Sequence, residues 1–319
     1  SGGYSVAVAK GDESVSAIIG YMASNVIAEQ DKKYQSVYKN PFDALSSKPA
    51  SNSVYKLAKA YCSADDLRKQ NDCFSTSTFE MASELTLSQI IDAGVKYTLD
   101  NVDFNSGINT TKSRGTVASA LGSNLSATAL GLQSIAVGVG SESEALTKAD
   151  ESNAVVTGYN AKTVTLGARS VSAASGMHCK SVALGKRSAV SVSGGYSVAV
   201  AKGDESVSAI AGTESCASTI GDKSISVALG HKAASVASGS ESVSVALGYA
   251  SASIANNDNS IALAFGVKAK AKAVAGSAIV CAYTDNDGKL IHIKAAIAGV
   301  DIDANTWYKL DAQGNFIKC

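Results

Sequence analysis

The stretch SESVSVALG, residues Ser240–Gly248, is one copy of the nine-residue phrase that decides the fold. Another copy, DKSISVALG, occupies Asp222–Gly230, and both end in glycine. Counting in nines from Gly122 to Gly266 visits 17 positions, and 15 of them are glycine in a chain with 28 glycines among 319 residues. Chance does not give such a register, so a nonapeptide is the structural unit of about half of the chain.

Every unit has the same internal order when its nine places are numbered to end at the glycine. Places one and two are polar or charged, as in Lys186-Arg187 and Asp204-Glu205, and place three is usually serine. Places four to eight hold small and β-branched residues, which favour a strand, and glycine at place nine accepts the left-handed backbone that a corner needs. We therefore predict one strand and one corner per unit. The predicted turn glycines are Gly122, Gly131, Gly140, Gly158, Gly167, Gly176, Gly185, Gly194, Gly203, Gly212, Gly221, Gly230, Gly239, Gly248 and Gly266.

The pattern argues against other repeat classes. Residues alternate with a period of two rather than about 3.6, which disfavours a helical repeat. The calcium-binding nonapeptide needs GGxGxD in each unit, and that pattern is missing here. The glycines are spaced one per strand, whereas a phosphate-binding loop clusters them before a helix. We predict no cofactor and no metal site.

Neither face of the predicted strands carries charge over most of the array. Places four, six and eight hold residues such as Val243, Val245 and Leu247, and places five and seven hold Ser244 and Ala246. One face can fill the interior of a solenoid, and the other needs a partner, either a second sheet of the same flattened coil or an identical chain. Because the residues at places five and seven are small enough for close approach, we predict a homotrimer. The alternative is an exposed Ala/Ser face on a monomeric solenoid.

The repeat phrase resembles a known family. SVALG (Ser181–Gly185), SIAVG (Ser134–Gly138) and SIALAFG (Ser260–Gly266) resemble the head repeats of trimeric autotransporter adhesins of the YadA type, which also occur in tail fibres and other trimeric appendages of bacteriophages. The resemblance covers roughly residues 113 to 283. It implies a left-handed parallel β-roll, wound as a trimer, that attaches to surfaces. Head repeats of such adhesins are commonly longer than nine residues, so the resemblance does not fix the coil geometry.

The N-terminal third is organised differently. Residues 1–20 repeat residues 193–212 except that Ile19 stands in place of Ala211, which predicts a short solenoid stretch at residues 1–29. Residues 30–112, which hold both prolines, are predicted to form a helical junction module before the solenoid of residues 113–283. Residues 51–70 and 85–101 are predicted as amphipathic helices, the second with Thr86 or Ser88 as its cap. Such a module could register a trimer, dock a neighbouring protein, or only pack beside the solenoid.

The last segment, residues 284–319, is predicted to be a β-rich cap. Its first part is a strand, an Asp-Gly turn and a second strand. Its second part is a hairpin-like pair, TWYKL and NFIK, joined by DAQG. The segment resembles closing modules of phage tail proteins. A solenoid exposes an open strand edge that such a module can cover. Just before it, Lys268, Lys270 and Lys272 indicate a charged terminal coil, with a polyanion site as the alternative.

Composition restricts the partners. The 28 basic residues balance 28 acidic ones, so there is no electrostatic case for nucleic acid. No apolar run approaches the roughly 20 residues that span a bilayer, so we predict no membrane insertion. The cysteines form neither a regular ladder nor a CxxC motif, which favours reduced thiols. They are Cys62, Cys73, Cys179, Cys216, Cys281 and Cys319.

Residues that could support catalysis have a simpler explanation. A glycosidase needs paired carboxylates, but nearly all the candidate carboxylates occupy places one and two, where most units put polar residues, and no unit has the extra aromatics of a sugar groove. The histidines are scattered, and no nucleophile has a local base. We predict no catalytic residue. The carboxylates are Glu142, Glu144, Asp150, Glu151, Asp204, Glu205 and Glu241, and the histidines are His178, His231 and His292.

The sequence therefore predicts a non-enzymatic fibrous protein. The first hypothesis is a bacteriophage tail fibre or related virion appendage, acting as a rigid spacer and host-surface binder. Its expected partners are two identical chains, other virion proteins, and a host-surface glycan or protein. The alternatives are a head fragment of an adhesin on the bacterial cell surface and a polysaccharide-degrading tailspike.

Overall fold

A computed structural model of the chain describes residues 14–22, 35–38, 40–47, 53–61, 73–76, 79–102, 109–285 and 287–319. The chain divides into two units, residues 1–102 and residues 103–319. In its described residues, the first unit combines one antiparallel sheet with two helices, and the second unit is a parallel β-solenoid.

The sheet of the first unit has the strand order β4-β2-β1-β3-β5. Its strands are β1 (Ser14–Met22), β2 (Gln35–Tyr38), β3 (Ser53–Tyr61), β4 (Cys73–Thr76) and β5 (Phe79–Leu85), and its helices are α1 (Pro41–Ser47) and α2 (Leu87–Asp100).

Helix α2 begins at the predicted cap. The Thr86 hydroxyl accepts a hydrogen bond from the Gln89 backbone N–H at 3.3 Å, and the Gln89 side chain accepts one from the Thr86 N–H at 2.8 Å. This reciprocal capping box satisfies two N–H groups that a helix start otherwise leaves unpaired. The predicted helix at residues 85–101 and its Thr86 cap are confirmed.

Two other predictions for this unit fail where the structure describes the residues. Residues 53–61 form strand β3, not a helix, because β1 and β5 provide antiparallel partners on both of its edges. Residues 62–70 of the same predicted helix lie outside the described residues.

Of the solenoid stretch predicted at residues 1–29, only 14–22 are described. They form β1, which is antiparallel to β3 over nine residue pairs. A parallel solenoid strand needs neighbours one coil before and after it, and this short copy pairs instead with the sheet beside it.

The second unit contains two stacked sheets. The first is an eleven-stranded sheet that starts at β7 and ends at the antiparallel strand β26. Its members are β7 (Val117–Leu121), β9 (Ile135–Val139), β11 (Asn153–Thr157), β13 (Val171–Ser175), β15 (Ala189–Ser193), β17 (Val207–Ala211), β19 (Ile225–Leu229), β21 (Val243–Leu247), β23 (Ile261–Phe265), β25 (Ala278–Thr284) and β26 (Leu290–Ile297).

The other sheet has twelve strands, of which the last two are antiparallel. Its members are β6 (Asn109–Thr111), β8 (Ser126–Ala129), β10 (Glu144–Thr147), β12 (Lys162–Thr165), β14 (Lys180–Ala183), β16 (Val198–Ala201), β18 (Cys216–Thr219), β20 (Ala234–Ala237), β22 (Ala252–Ala255), β24 (Lys270–Ala273), β27 (Tyr308–Leu310) and β28 (Phe316–Lys318). The predicted mainly-β parallel solenoid is confirmed.

One coil consists of two nonapeptides, one strand in each sheet. Strand partners in the same sheet are 18 residues apart, as for Ser226 and Ser244. Ten parallel strands in each sheet stack in this way, which gives about ten coils and a rod about 45 Å long at about 4.8 Å per coil. Between the coils, backbone N–H groups donate to carbonyls of the neighbouring coil along the whole array.

The interior of the coil is lined by the small residues, contrary to the prediction. Ser226 and Ala228, at places five and seven of β19, are fully buried, whereas Ile225 and Leu229, at places four and eight, are 43% and 41% exposed. The Ser235 hydroxyl donates to the Ser226 carbonyl of the opposite sheet at 2.9 Å. The two sheets lie so close that only Ala, Ser and similarly small residues fill most of the space between them, so the larger side chains of this sheet point outwards.

The C-terminal segment covers the last coil on both sheets. Strand β26 pairs antiparallel with β25, and β27 pairs antiparallel with β24. Each hairpin turns at an aspartate whose carboxylate accepts backbone N–H groups: Asp285 from Lys289 at 2.8 Å, and Asp311 from Asn315 at 2.7 Å. The predicted strand-turn-strand order and its closing role at the edge are therefore seen in both sheets.

Candidate functional site

The predicted turn glycines lie at the corners of the coils, in two different conformations. We call the corner that leads from the eleven-stranded to the twelve-stranded sheet corner A, and the return corner B. At corner A, Gly230 has φ +143°, which only glycine adopts readily. At corner B, Gly221 lacks positive φ, but a Cβ there would lie 2.4 Å from the Gly203 carbonyl oxygen of the preceding coil.

The left-handed α conformation itself falls on place two. Seventeen consecutive units, from Asn124 to Lys268, have a non-glycine residue there with φ between 52° and 59°. Each corner is held by a bond to the next coil, for example from Glu205 N–H to the Asp222 carbonyl at 2.8 Å. The sequence analysis assigned the left-handed residue to glycine because glycine has the lowest intrinsic cost in that conformation.

Serines at place three form a continuous ladder along corner B. From Ser134 to Ser277, each serine hydroxyl accepts the backbone N–H of the place-three residue one coil earlier, at 3.0 to 3.3 Å. Several of these hydroxyls also donate to the carbonyl of the preceding corner, as Ser260 does to Gly239 at 2.9 Å. At corner A the ladder is interrupted. The Ser197 and Ser215 hydroxyls accept the N–H groups of Cys179 and Ser197 at 3.0 and 3.2 Å, but alanine occupies place three at residues 161, 233 and 269.

Charged residues at corner B pair with each other between coils. Lys186 contacts Asp204 at 2.8 Å, and Arg187 contacts Glu205 at 2.7 Å. These cations lower the pKa of the Asp204 and Glu205 carboxyl groups. A glycosidase acid needs the opposite, a raised pKa, so this pair has no acid-catalyst character.

The remaining carboxylate candidates are distributed over several coils, all at corners except Glu144, which begins strand β10. Glu151 pairs with Arg169 at 3.3 Å, Glu241 lies 3.8 Å from Lys223, and Glu144 pairs with Lys162 at 2.5 Å. Asp150 accepts the Ala168 N–H at 2.7 Å. Within the described part of the chain, no three His, Cys, Asp or Glu residues are grouped to hold a metal ion.

Aromatic side chains form a column at corner A that the sequence analysis missed. His178 lies 5.2 Å from Tyr159 and stacks on Tyr196 at 5.2 Å, and His231 stacks on Tyr249 at 5.3 Å. The signal is present in the sequence, because within each stack these residues stand at places one and two, 18 or 19 residues apart. Thr213 and Glu214 occupy the corner between Tyr196 and His231 and separate the two stacks. Since rings that stack on one another occupy each other's faces, the column is a cohesive contact between coils rather than an open sugar platform.

The three lysines before the cap divide between two aromatic contacts. Lys270 and Lys272 approach the Trp307 ring to 4.8 and 5.1 Å, and Lys268 lies 5.3 Å above the Tyr249 ring. Burial lowers the pKa of the Lys270 and Lys272 ammonium groups. Lys270 and Lys272 therefore attach the cap to the last coil, whereas Lys268 contacts a ring of the neighbouring coil.

The described cysteines are free thiols. Cys179, Cys216 and Cys281 are buried and Cys319 is exposed. Burial raises the pKa of the Cys216 and Cys281 thiols to about 12, which disfavours the thiolate form that acts as a nucleophile.

The outward face of the eleven-stranded sheet is free of charged residues from β7 to β23. Nine strands, from β7 to β23, contribute places four, six and eight, and none of these 27 positions is Asp, Glu, Lys or Arg. In the twelve-stranded sheet, by contrast, all four residues of β14, β16, β18, β20 and β22 are buried.

Comparison of the chain with protein-family models, with curated proteins and with solved structures finds no match in any of the three. Among the described residues, no helix is long and apolar enough to cross a membrane.

Proposed function

We propose that this chain is a non-enzymatic fibrous structural and attachment protein, a bacteriophage tail fibre or related virion appendage. The observation that carries the proposal is the solenoid itself, whose ten coils are joined by backbone bonds and by the serine ladder of corner B. Bending such a rod would lengthen many bonds at once, and stiffness is what a spacer between a particle and a surface requires.

The proposed assembly is a homotrimer that joins other virion proteins and contacts a glycan or protein on the host surface. Identical chains side by side multiply any weak binding site, so attachment gains strength through avidity. The virion is the proposed location. A head fragment of a bacterial surface adhesin has the same physical requirements and is the second proposal.

The chemistry of the corners supports attachment over cleavage. The adjacent carboxylates Asp204 and Glu205 each have a cation as partner, and the aromatic column of corner A lies at the other end of the strands from them. A polysaccharide-degrading tailspike would need a carboxylate pair beside aromatic rings in one groove.

The test is a binding and cleavage assay on the same samples. Fluorescently labelled protein is incubated with a panel of bacterial cells and their purified surface polysaccharides, with labelled albumin as control. We expect retention on cells of at least one strain and no release of reducing sugar ends. Release of reducing ends that Glu205→Gln abolishes would overturn the non-enzymatic proposal, and absence of retention on every strain would overturn host attachment.

A further inference from the structure

Hydrophobic side chains are exposed on most strands of the outward face of the eleven-stranded sheet. At the first coil, Val117 is 59% and Leu121 73% exposed. Ile225 and Leu229 of β19 are also exposed, and near the end so is Ile261. Strand β15 interrupts these side chains with small, uncharged residues, so the exposed hydrophobics recur along one face of the rod on both sides of it.

The cap continues this surface. Strand β26 pairs with β25 so that Ile293 lies opposite Ala282 and Ile297 opposite Ala278, and both isoleucines are exposed. The apolar face therefore extends from β7 to β26 and ends only where the sheet ends. We call this surface, places four, six and eight of β7 to β23 together with the same face of β25 and β26, the outer sheet face.

The size of the outer sheet face is that of a stable interface. Eleven strands at about 4.8 Å spacing and five residues at about 3.3 Å give a strip of about 50 by 16 Å, or about 800 Å² per chain. Specific complexes bury about 800 Å² on each partner, and exposed apolar patches above a few hundred Å² mark interaction sites.

The chemistry of the face favours an identical face as its occupant. It carries no charge for an acidic or basic partner, whereas corner B beside it carries ion pairs such as Arg187 with Glu205. An apolar centre with a polar rim is the usual anatomy of a protein interface. A second copy presents a face of the same length and with the same spacing between coils, and two uncharged faces do not repel each other.

Three copies fill the space around one axis. Three strips about 16 Å wide that form a triangular prism each lie about 5 Å from its axis, which is half of the roughly 10 Å between packed sheets. The side chains of three faces can therefore meet at the centre without leaving a channel.

We propose that the outer sheet face is the self-association surface of this protein and is covered by the same face of two further copies. The number of copies rests on the proposed function. What is added is the face through which the copies contact one another. That face presents places four, six and eight of the strands, not places five and seven, whose small residues predict close approach in the sequence pattern.

The experiment compares solution mass by sedimentation for three full-length proteins: the unchanged chain, the double variant Ile225→Lys/Leu229→Lys, and the control Asn259→Lys. The double variant puts one charge at each end of β19, the seventh of the eleven strands of the face, where both side chains are already exposed. The control adds lysine at place two of a corner, where Lys223 and Lys268 occur naturally.

We expect three times the 32.3 kDa chain mass for the unchanged chain and the control, and the single-chain mass for the double variant. Far-UV circular dichroism checks that the variant keeps its strands; if it does not, Ile225→Thr/Leu229→Thr, which retains β propensity, is measured in its place. A single-chain mass for the unchanged protein, or an unchanged mass for a folded variant, would overturn the self-association surface. A mass of two chains would overturn the threefold arrangement.

These outcomes are separate from those of the proposed function. An unchanged chain that is monomeric yet is retained on cells overturns the interface and leaves attachment standing. A trimer that binds no cell overturns attachment and leaves the interface standing.

Discussion

At the scale of single residues, the serine at place three joins one coil to the next. The Ser224 hydroxyl accepts the Ser206 N–H at 3.1 Å and donates to the Gly203 carbonyl at 3.2 Å. At the corresponding place of corner A, the Ser251 hydroxyl bonds only to the carbonyl of Gly248 in its own corner, at 3.0 Å. The serine at place three therefore joins coils along the whole of corner B, whereas at corner A it does so at Ser197 and Ser215 and has a local role at Ser251.

We predict that Ser224→Ala destabilises the protein more than Ser251→Ala does. The first change leaves a buried N–H and a buried carbonyl without their hydroxyl partner, which typically costs about 1–3 kcal/mol, whereas the second removes one bond within a turn, about 0.5–1.5 kcal/mol. The free energy of unfolding is measured by urea denaturation for both variants. Equal losses would contradict the role of the serine ladder.

Thiol reactivity gives a second prediction at this scale. Cys216 and Cys281 are buried, with pKa values raised to about 12, and Cys319 is exposed. In the folded protein at pH 8, we expect iodoacetamide to label Cys319 at least tenfold faster than either buried thiol, because only the thiolate reacts and burial also blocks access. Peptide mass spectrometry locates the label. After unfolding in urea, all three should react alike, and early labelling of Cys216 in the folded chain would contradict its position inside the coil.

The residue pattern predicted the period but not the direction of the side chains. Alternation along β19 separates Ile225 and Leu229 from Ser226 and Ala228, but it does not say which pair points inwards. The interior also contains Ile210, the neighbour of Ala228 on β17, so size alone does not exclude isoleucine from it. At β19 the two sheets are close, since the Ser235 hydroxyl reaches the Ser226 carbonyl across the coil at 2.9 Å. Only knowledge of the 18-residue coil could have given that distance.

At the scale of elements, local signals predicted those elements that local chemistry determines. The Thr86 capping box starts α2, and aspartate-glycine turns close both hairpins of the cap. Strand β3 was missed because its state depends on β1 and β5, which are distant in sequence and supply its hydrogen bonds. Partners of that kind leave no signal within the nine residues of the strand itself.

The cap is attached through Trp307, whose ring lies within about 5 Å of the Lys270 and Lys272 ammonium groups. We predict that Trp307→Ala loosens the cap, with increased amide hydrogen exchange in β27 and β28 and little change in the middle coils. The variant loses two cation–π contacts, each worth about 0.5–2 kcal/mol, beside strands of only three residues. Exchange is followed by mass spectrometry, with Tyr249→Ala, which alters the corner A column, as the matched control. Uniform acceleration over the whole solenoid would contradict a local role.

At the scale of the whole molecule, the solenoid is a stack in which each coil contacts only its neighbours. Stability in such stacks is close to a sum of coil and interface contributions, so a coil can be removed if the remaining ones still match. The coil here is 18 residues, two nonapeptides, and its two corners differ: corner B has the serine ladder, and corner A has glycines with positive φ. The nonapeptide is thus the repeat of the sequence and only half of the repeat of the structure.

We predict that deletion of residues 222–239 gives a folded protein and that deletion of residues 222–230 does not. The first removes one whole coil, so Gly221 is followed by Ser240 at the same corner and β21 stacks on β17. The nine-residue deletion moves every later strand to the opposite sheet, so β25 and β26 no longer pair with the sheet that they close. It also puts an alanine at place three of corner B, where the serine ladder needs a hydroxyl. Circular dichroism and sedimentation compare both with the full chain, and small-angle scattering should give a rod shorter by about 4.8 Å for the first. If the nine-residue deletion folds as well as the eighteen-residue one, the two corners are interchangeable, and the structural repeat is nine residues after all.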